Sequence, residues 1–194
     1  ASLLVSATKF SPLMPVRDED GNYMLNPYIT YVPNPVSLLE ITNKTSKNRM
    51  LGTAFIEVKP IPELTIKGNF GIDYNNAKHK VYMPKTTLYG KKYNGKADVS
   101  QMDKNDYLFE LTANYTRKSG EHNITALAGY SFQQFNREGL WLGNSNFITD
   151  SFLYNNMGIG NYEKPTVGTN ASKNEMASFF GRVNYSFRDR YLLT

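Results

Sequence analysis

Cysteine is missing from the 194-residue sequence, which excludes disulfide bonds, thiolate metal sites and thiol catalysis. The two histidines, His79 and His122, lie far apart in the sequence and lack the spacing of metal ligands. No run of about 18 apolar residues occurs, so a transmembrane helix is not expected. Because neither a Ser/His/Asp arrangement nor a pair of catalytic carboxylates stands out, we expect no enzyme activity, no metal site and no cofactor.

Aromatic residues are abundant although the chain as a whole is polar. They make up 13% of the sequence, with 14 tyrosines and 11 phenylalanines, while the mean hydropathy is −0.49 and the net charge is +5. This mixture is typical of a β protein with large polar loops or of a β-barrel in an outer membrane.

Apolar and polar residues alternate over several stretches, the pattern of strands with one apolar and one polar side. In residues 64–74, for example, Phe70 and Ile72 fall on the apolar side, whereas Asn69 and Asp73 fall on the polar side. The other alternating stretches span 107–116, 123–132 and 178–187, with a less regular one at 50–58. A sixth strand begins at Tyr191. Five strands and a fraction cannot close a membrane barrel, so we expect the chain to be part of a larger one.

The connections between these strands alternate between short and long. Residues 59–63, 118–121 and 188–190 form short turns, whereas residues 75–106 and 138–176 are predicted as long loops. Outer-membrane barrels have this asymmetry, with short periplasmic turns and long extracellular loops. Aromatic residues near both ends of the strands would form the two interfacial girdles of such a barrel. A soluble β-sandwich whose apolar side faces a core is the alternative.

The two long loops carry the candidate contact residues. Residues 75–106 contain seven lysines against three aspartates, with Tyr82, Tyr89 and Tyr93 interleaved, and residues 138–176 contain Trp141, Phe147 and Tyr154. Such aromatic side chains can contact a substrate or partner, and those of residues 138–176 can equally pack that loop against its neighbours. The lysines indicate a solvated loop face, or contact with an acidic partner, lipid or glycan, rather than with nucleic acid. Residues 18–22 have alternate oxygen-bearing side chains, but Asp20-Gly21 favours a solvated turn over a cation site.

Several motifs resemble one family. They are Asn34–Leu39, Leu64–Lys67 leading to Phe70–Tyr74, Glu121–Asn123 leading to Gly129–Gln133, and above all Phe180–Phe187 followed by Arg188–Thr194. Together they resemble the SusC/RagA-type TonB-linked outer-membrane proteins of Bacteroidota over nearly the whole chain.

The resemblance implies a middle part of a plugged barrel of about 22 antiparallel transmembrane strands. In that arrangement residues 1–48 are an extracellular loop segment, and residues 49–194 are a partial barrel that carries the two long extracellular loops. The implied activity is active import of oligosaccharides or peptides across the cell outer membrane. The implied partners are a SusD-like surface lipoprotein, outer-membrane lipid and, through parts of a longer parent chain, the TonB complex. A surface β domain that binds glycans without transporting them is the alternative function.

Overall fold

The computed structural model describes residues 3–161, 165–188 and 190–194. Within these residues six antiparallel strands form one sheet, in which each strand pairs with the next one along the chain. The strands are β1 (Thr42–Ile61), β2 (Leu64–Met83), β3 (Lys96–Ser119), β4 (His122–Ser145), β5 (Thr166–Phe187) and β6 (Tyr191–Leu193). The all-β antiparallel fold predicted from the alternation is therefore confirmed.

The strands are longer than the sequence pattern indicated. β2 continues to Met83 and β3 begins at Lys96, so most of the predicted loop 75–106 is strand. Likewise β4 continues to Ser145 and β5 begins at Thr166, inside the predicted loop 138–176. In β2 the alternation ends after Tyr74, where Asn75 and Asn76 make both sides polar, but the strand continues. In β4 it ends at Leu140, Trp141 and Leu142, where both sides are apolar. The predicted extents of the two long loops were therefore wrong.

The segment predicted as an extracellular loop, residues 1–48, contains regular structure. A helix, α1, spans Leu3–Lys9, a 3₁₀ turn spans Ser37–Glu40, and β1 already begins at Thr42. A second short helix, α2 (Leu88–Lys92), lies between β2 and β3, and the Thr87 hydroxyl caps it by accepting the Gly90 N–H at 3.0 Å. In the described part of the chain, no helix has the length and apolar character needed to cross a membrane.

The chain divides into two compact units. Unit 1 comprises Ala1–Lys47, Ala77–Met102 and Gly139–Asn170, and unit 2 comprises Asn48–Asn76, Asp103–Glu138 and Ala171–Thr194. The described residues include four buried hydrophobic side chains, all of them in unit 1: Val32, Tyr82, Ala97 and Phe147.

Unit 2 has two chemically different sheet faces. On the first, which we call the apolar face, the Tyr130 and Phe179 rings lie 4.9 Å apart and Phe70 is 49% exposed. On the second, the polar face, the Lys67 ammonium lies 4.6 Å from the centre of the Phe55 ring, and Gly71 lies against Leu108. These contacts pair residues across strands as the sequence alternation predicted.

The apolar face carries no charged side chain in its central part. Its residues alternate along five strands: Met50 to Val58, Leu64 to Tyr74, Tyr107 to Tyr115, Ile124 to Phe132 and Phe179 to Phe187. Phe179 is 84% exposed and Ile56 is 73% exposed. Within these stretches the charged residues alternate onto the polar face: Glu57, Lys67, Asp73, Glu110 and Arg182.

Candidate functional site

Unit 1 contains all six of the aromatic residues predicted to contact a substrate or partner. Tyr82 and Phe147 are fully buried, with ring centres 5.5 Å apart and ring planes at 70°. The partly buried side chains of Leu153, Tyr154, Met157 and Ile159 pack against them. A side chain without exposed surface cannot touch a ligand. For Phe147 the structure therefore favours loop packing, the alternative that the sequence left open, and Tyr82 packs in the same core.

Hydrogen bonds connect this aromatic core to the β2–β3 and β4–β5 connections. The Tyr82 hydroxyl donates to Asp150 Oδ1 at 2.6 Å, and the Lys85 backbone N–H donates to Asp150 Oδ2 at 3.2 Å. The backbone N–H of Phe147 donates to the Asn94 carbonyl at 3.0 Å. The β2–β3 and β4–β5 connections therefore share one core, which explains why aromatic residues recur in both.

Of the other three tyrosines, Tyr93 and Tyr154 contact lysine side chains of unit 1, and Tyr89 lies in α2. Tyr93 is 39% exposed, and its ring centre lies 5.4 Å from the Lys92 ammonium and 5.6 Å from that of Lys96. The Tyr154 ring lies 5.1 Å from the Lys80 ammonium, and Tyr89 is half-buried in α2. Part of the positive charge in this segment is thus used in cation–π contacts inside the unit.

Trp141 lies in a pocket of about 260 Å³. It is 43% exposed, and its indole contacts Gly168 so closely that a Cβ atom there would collide with the ring. Ser100, Gly139 and Asn170 are among the other residues that line the pocket. The sequence indicated Trp141 but not the residues around it. A signal was present in Gly168, because a glycine inside a strand often marks a close approach by another group.

Glu40 joins the N-terminal segment to the β2–β3 connection. Its carboxylate accepts hydrogen bonds from the Thr86 hydroxyl, from the Tyr23 hydroxyl at 2.5 Å and from the Arg17 guanidinium at 3.4 Å. The hydrogen bonds from Thr86 and then Tyr23 are the main reasons why the pKa of Glu40 is lowered. Burial opposes them, and the charge and the hydrogen bond of Arg17 lower the pKa further.

This junction is expected to loosen in acid. A carboxyl group with a lowered folded-state pKa stabilises the fold above its unfolded pKa of about 4.3, and the stabilisation is lost as pH falls through the lower folded value. The protection factors of the amides at residues 85–90, taken relative to intrinsic exchange at each pH, should therefore fall from neutral pH to about pH 3, and Glu40→Gln should reduce this pH dependence. An unchanged pH response in Glu40→Gln would show that another group controls the junction.

The other polar clusters of the sequence have ordinary structural partners. Asp18 accepts the Asn22 backbone N–H at 2.7 Å in a turn where Gly21 has a φ of +80°, as expected for a solvated turn. His79 Nε2 lies 2.8 Å from Asn43 Oδ1, and His122 Nδ1 lies 2.6 Å from the Tyr185 hydroxyl. Among the described residues no group of three or more His, Cys, Asp or Glu side chains could hold a metal ion.

Two ion pairs between neighbouring strands lie on the polar face of unit 2, to which the sequence alternation assigned Asp73. The Arg49 guanidinium binds Asp73 with two hydrogen bonds, of 2.9 and 2.6 Å. Arg137 binds Asp106, with one of its hydrogen bonds at 3.1 Å. All four side chains are partly exposed, so each pair adds little to stability by itself.

Known proteins resemble this chain over most of its length. The TonB-dependent receptor P26 of Formosa agariphila is 31% identical over 191 residues, which cover 94% of this chain and 19% of the receptor. The TonB-dependent receptor P3 of the same organism is 28% identical, covering 99% of this chain. The TonB-dependent receptor SusC of Bacteroides thetaiotaomicron is 26% identical, covering 90% of this chain and 17% of SusC. The chain is homologous to a segment of TonB-dependent receptors.

The resemblance to TonB-dependent receptors of the SusC and RagA type, indicated by the motifs above, is thereby confirmed. A solved structure of the RagAB peptide transporter matches 80% of this chain and 18% of its own chain, with a TM-score of 0.70 and 20% identity. At this identity the match shows the fold alone, an antiparallel sheet similar to part of that transporter. The chain spans about a fifth of the length of its curated relatives, which are named as receptors and not as enzymes. No family model matches it.

Proposed function

We propose that this chain forms wall and extracellular loops of an outer-membrane importer that takes up oligosaccharides or peptides by a TonB-dependent mechanism. The observation that carries the proposal is the exposed apolar face of unit 2, whose central part carries no charged side chain. Apolar patches larger than a few hundred Å² are rare on soluble monomers and mark contact with a membrane or a partner. Lipid tails would solvate the apolar face, and the polar face would line the interior of the barrel.

The ends of the apolar face carry aromatic side chains suited to the membrane–water interface. Near the short turns, the His122 ring lies 4.9 Å from Phe187 and 5.9 Å from Tyr185. Tyr74, Tyr107 and Phe132 lie on the same face toward the long connections. Two aromatic levels separated by an apolar band are typical of outer-membrane barrels. On this basis we assign unit 2 to the membrane and unit 1 to the extracellular surface.

The names of the relatives suggest the partners. Since SusC and the RagAB peptide transporter are among the proteins that this chain resembles, we propose that the intact protein works with a SusD-like surface lipoprotein. TonB would supply the energy through other parts of the intact protein. RagAB is named as a peptide transporter, whereas the names of receptors P26, P3 and SusC give no substrate. Both oligosaccharides and peptides therefore stay in the proposal.

Cysteine labelling tests the proposed orientation. The chain has no native cysteine, so Lys91→Cys and the 82% exposed Ile148→Cys should each provide a single reactive site in this segment. In intact cells both should react with a membrane-impermeant maleimide, whereas Glu63→Cys and Ser119→Cys in the short turns should react only after cell disruption. The experiment should be repeated without the lipoprotein, which could shield a loop. Equal labelling of all four positions in intact cells would contradict the proposed orientation.

Fractionation separates the importer from a soluble or surface-attached glycan-binding domain. An integral barrel should sediment with the outer membrane, need detergent for extraction and change its gel mobility on heating. Extraction of the intact protein in buffer alone would favour the glycan-binding alternative.

A further inference from the structure

We propose that the Trp141 pocket of unit 1 is a subsite that stacks one ring of a neutral sugar. This inference rests on the proposed import function and deepens it, because it selects a substrate class and names the residues that bind it. The pocket is formed by β2, β3, β4 and β5, and all of its lining residues belong to unit 1.

The orientation of the indole leaves one of its faces available. A Cβ atom built at Gly168 would lie closest to Cε2 and Cζ2 of Trp141 and slightly farther from Nε1. Cε2 is a ring-fusion atom set back from the edge, so it can be the nearest atom only if the indole lies with its face over Gly168. With one face against the Gly168 backbone, the 43% exposure of the residue must come from the opposite face and the ring edge. The apolar C–H face of a sugar ring stacks on such a surface.

Polar groups for the sugar hydroxyls lie beside the ring. Asn170 lies over Gly139, where a Cβ atom would collide with its Oδ1. The Asn170 amide is exposed and has no hydrogen-bond partner among the described residues, so its donors and acceptor can serve a ligand. Ser100 lines the same pocket and adds a hydroxyl. An aromatic surface next to an amide and a hydroxyl matches the two-sided chemistry of a pyranose.

The charge of the pocket selects against other ligands. Its lining contains no Asp, Glu, Lys or Arg side chain, so neither the charged groups of a peptide nor the carboxylates and sulfates of an acidic glycan find a counter-charge. Its volume of about 260 Å³ lies just below the range of ~300–1,000 Å³ typical of small-molecule sites. The pocket therefore fits one ring of a longer chain rather than a whole oligomer.

Binding by the purified intact protein tests the subsite. Three probe mixtures should be compared: neutral oligosaccharides from hydrolysed starch, cellulose, xylan and mannan, acidic oligosaccharides from alginate and pectin, and tryptic peptides of casein. Ligands that stay with the protein are identified by mass spectrometry, and the strongest neutral binder is titrated by calorimetry. Trp141→Ala should weaken its affinity about fivefold to tenfold. Gly168→Ala should also weaken it, because the methyl group displaces the indole although Trp141 is retained.

Gly68→Ala is the matched control, since a Cβ atom at this strand glycine meets nothing within 4 Å. The Gly68→Ala protein should bind the neutral oligosaccharide with the affinity of the wild type. Neutral binding that Trp141→Ala and Gly168→Ala leave unchanged would overturn the subsite and leave the importer intact. Retention of only peptides or acidic glycans would overturn the substrate class in the same way. Retention of no probe would overturn the subsite as well. The cysteine labelling above decides the proposed function independently.

Discussion

Phe70→Lys is expected to reduce assembly of the intact protein in the outer membrane severely. Phe70 lies near the middle of the apolar face on β2 and is 49% exposed. In the proposed orientation the substitution places an ammonium near the centre of the bilayer, which costs about 2–4 kcal/mol in membrane barrels. The measurement is the amount of heat-modifiable protein in the outer-membrane fraction.

Asn69→Lys is the matched control for this substitution. Asn69 is the neighbouring residue, and a single step along a strand moves a side chain to the opposite face. On the polar face the new lysine joins Lys67 and Asp73, and its long stem can carry the charge to water. We expect nearly normal assembly. If Asn69→Lys were as damaging as Phe70→Lys, the assignment of the two faces would be wrong.

Phe70→Leu separates the membrane from a protein core as the environment of the apolar face. Lipid adapts to the shape of a side chain, so in the importer this variant should assemble normally. In a soluble sandwich the same change would disturb a packed core and reduce stability. A soluble, destabilised Phe70→Leu protein would therefore contradict the importer and favour the glycan-binding domain.

The sequence predicted the strands best where their two sides differ chemically. Between Leu64 and Tyr74 each step changes from lipid-compatible to polar, so the alternation alone identified the strand and both faces. Beyond Tyr74 the same strand continues through Asn75, Asn76, Lys78 and His79, where both sides are polar and the alternation disappears. This extension stays paired with β3 through its backbone, and backbone pairing leaves no trace in side-chain hydropathy. A side-chain hydrogen bond from the Asn76 amide to the Asp103 carboxylate adds a contact between the two strands.

The candidate site was predictable in its residue types and not in its geometry. Aromatic enrichment of the two connections pointed to Trp141 and Phe147 alike, yet one is 43% exposed and the other fully buried. The difference depends on which residues of distant strands they meet: Gly168 leaves room for an indole, whereas Tyr82 completes a core around Phe147. Such contacts join residues far apart in the sequence, so local composition cannot distinguish a binding surface from a packed core.

Phe147→Ala is expected to disorder the two long connections. Phe147 has no exposed surface, and truncating a packed phenylalanine typically costs about 3–5 kcal/mol. The cavity would lie between Tyr82 and the partly buried side chains of the β4–β5 connection, which have few other buried contacts to hold them. The backbone N–H of Asn146, which donates to the Tyr93 carbonyl at 2.9 Å, and that of Phe147 should then exchange with solvent much faster. Hydrogen exchange and limited proteolysis of the connections measure the effect.

Phe152→Ala is the control, because Phe152 lies in the same connection but is 52% exposed, and its truncation should change stability by no more than about 0.5 kcal/mol. Tyr82→Phe isolates the hydrogen bond to Asp150 from the ring packing and should have an intermediate effect of about 1 kcal/mol. We therefore expect the loss of stability to decrease in the order Phe147→Ala, Tyr82→Phe, Phe152→Ala. A cavity in the core costs more stability than the loss of one hydrogen bond, and the loss of an exposed ring costs least. If Phe152→Ala accelerated exchange as much as Phe147→Ala, the connections would be held by contacts other than the Tyr82–Phe147 core.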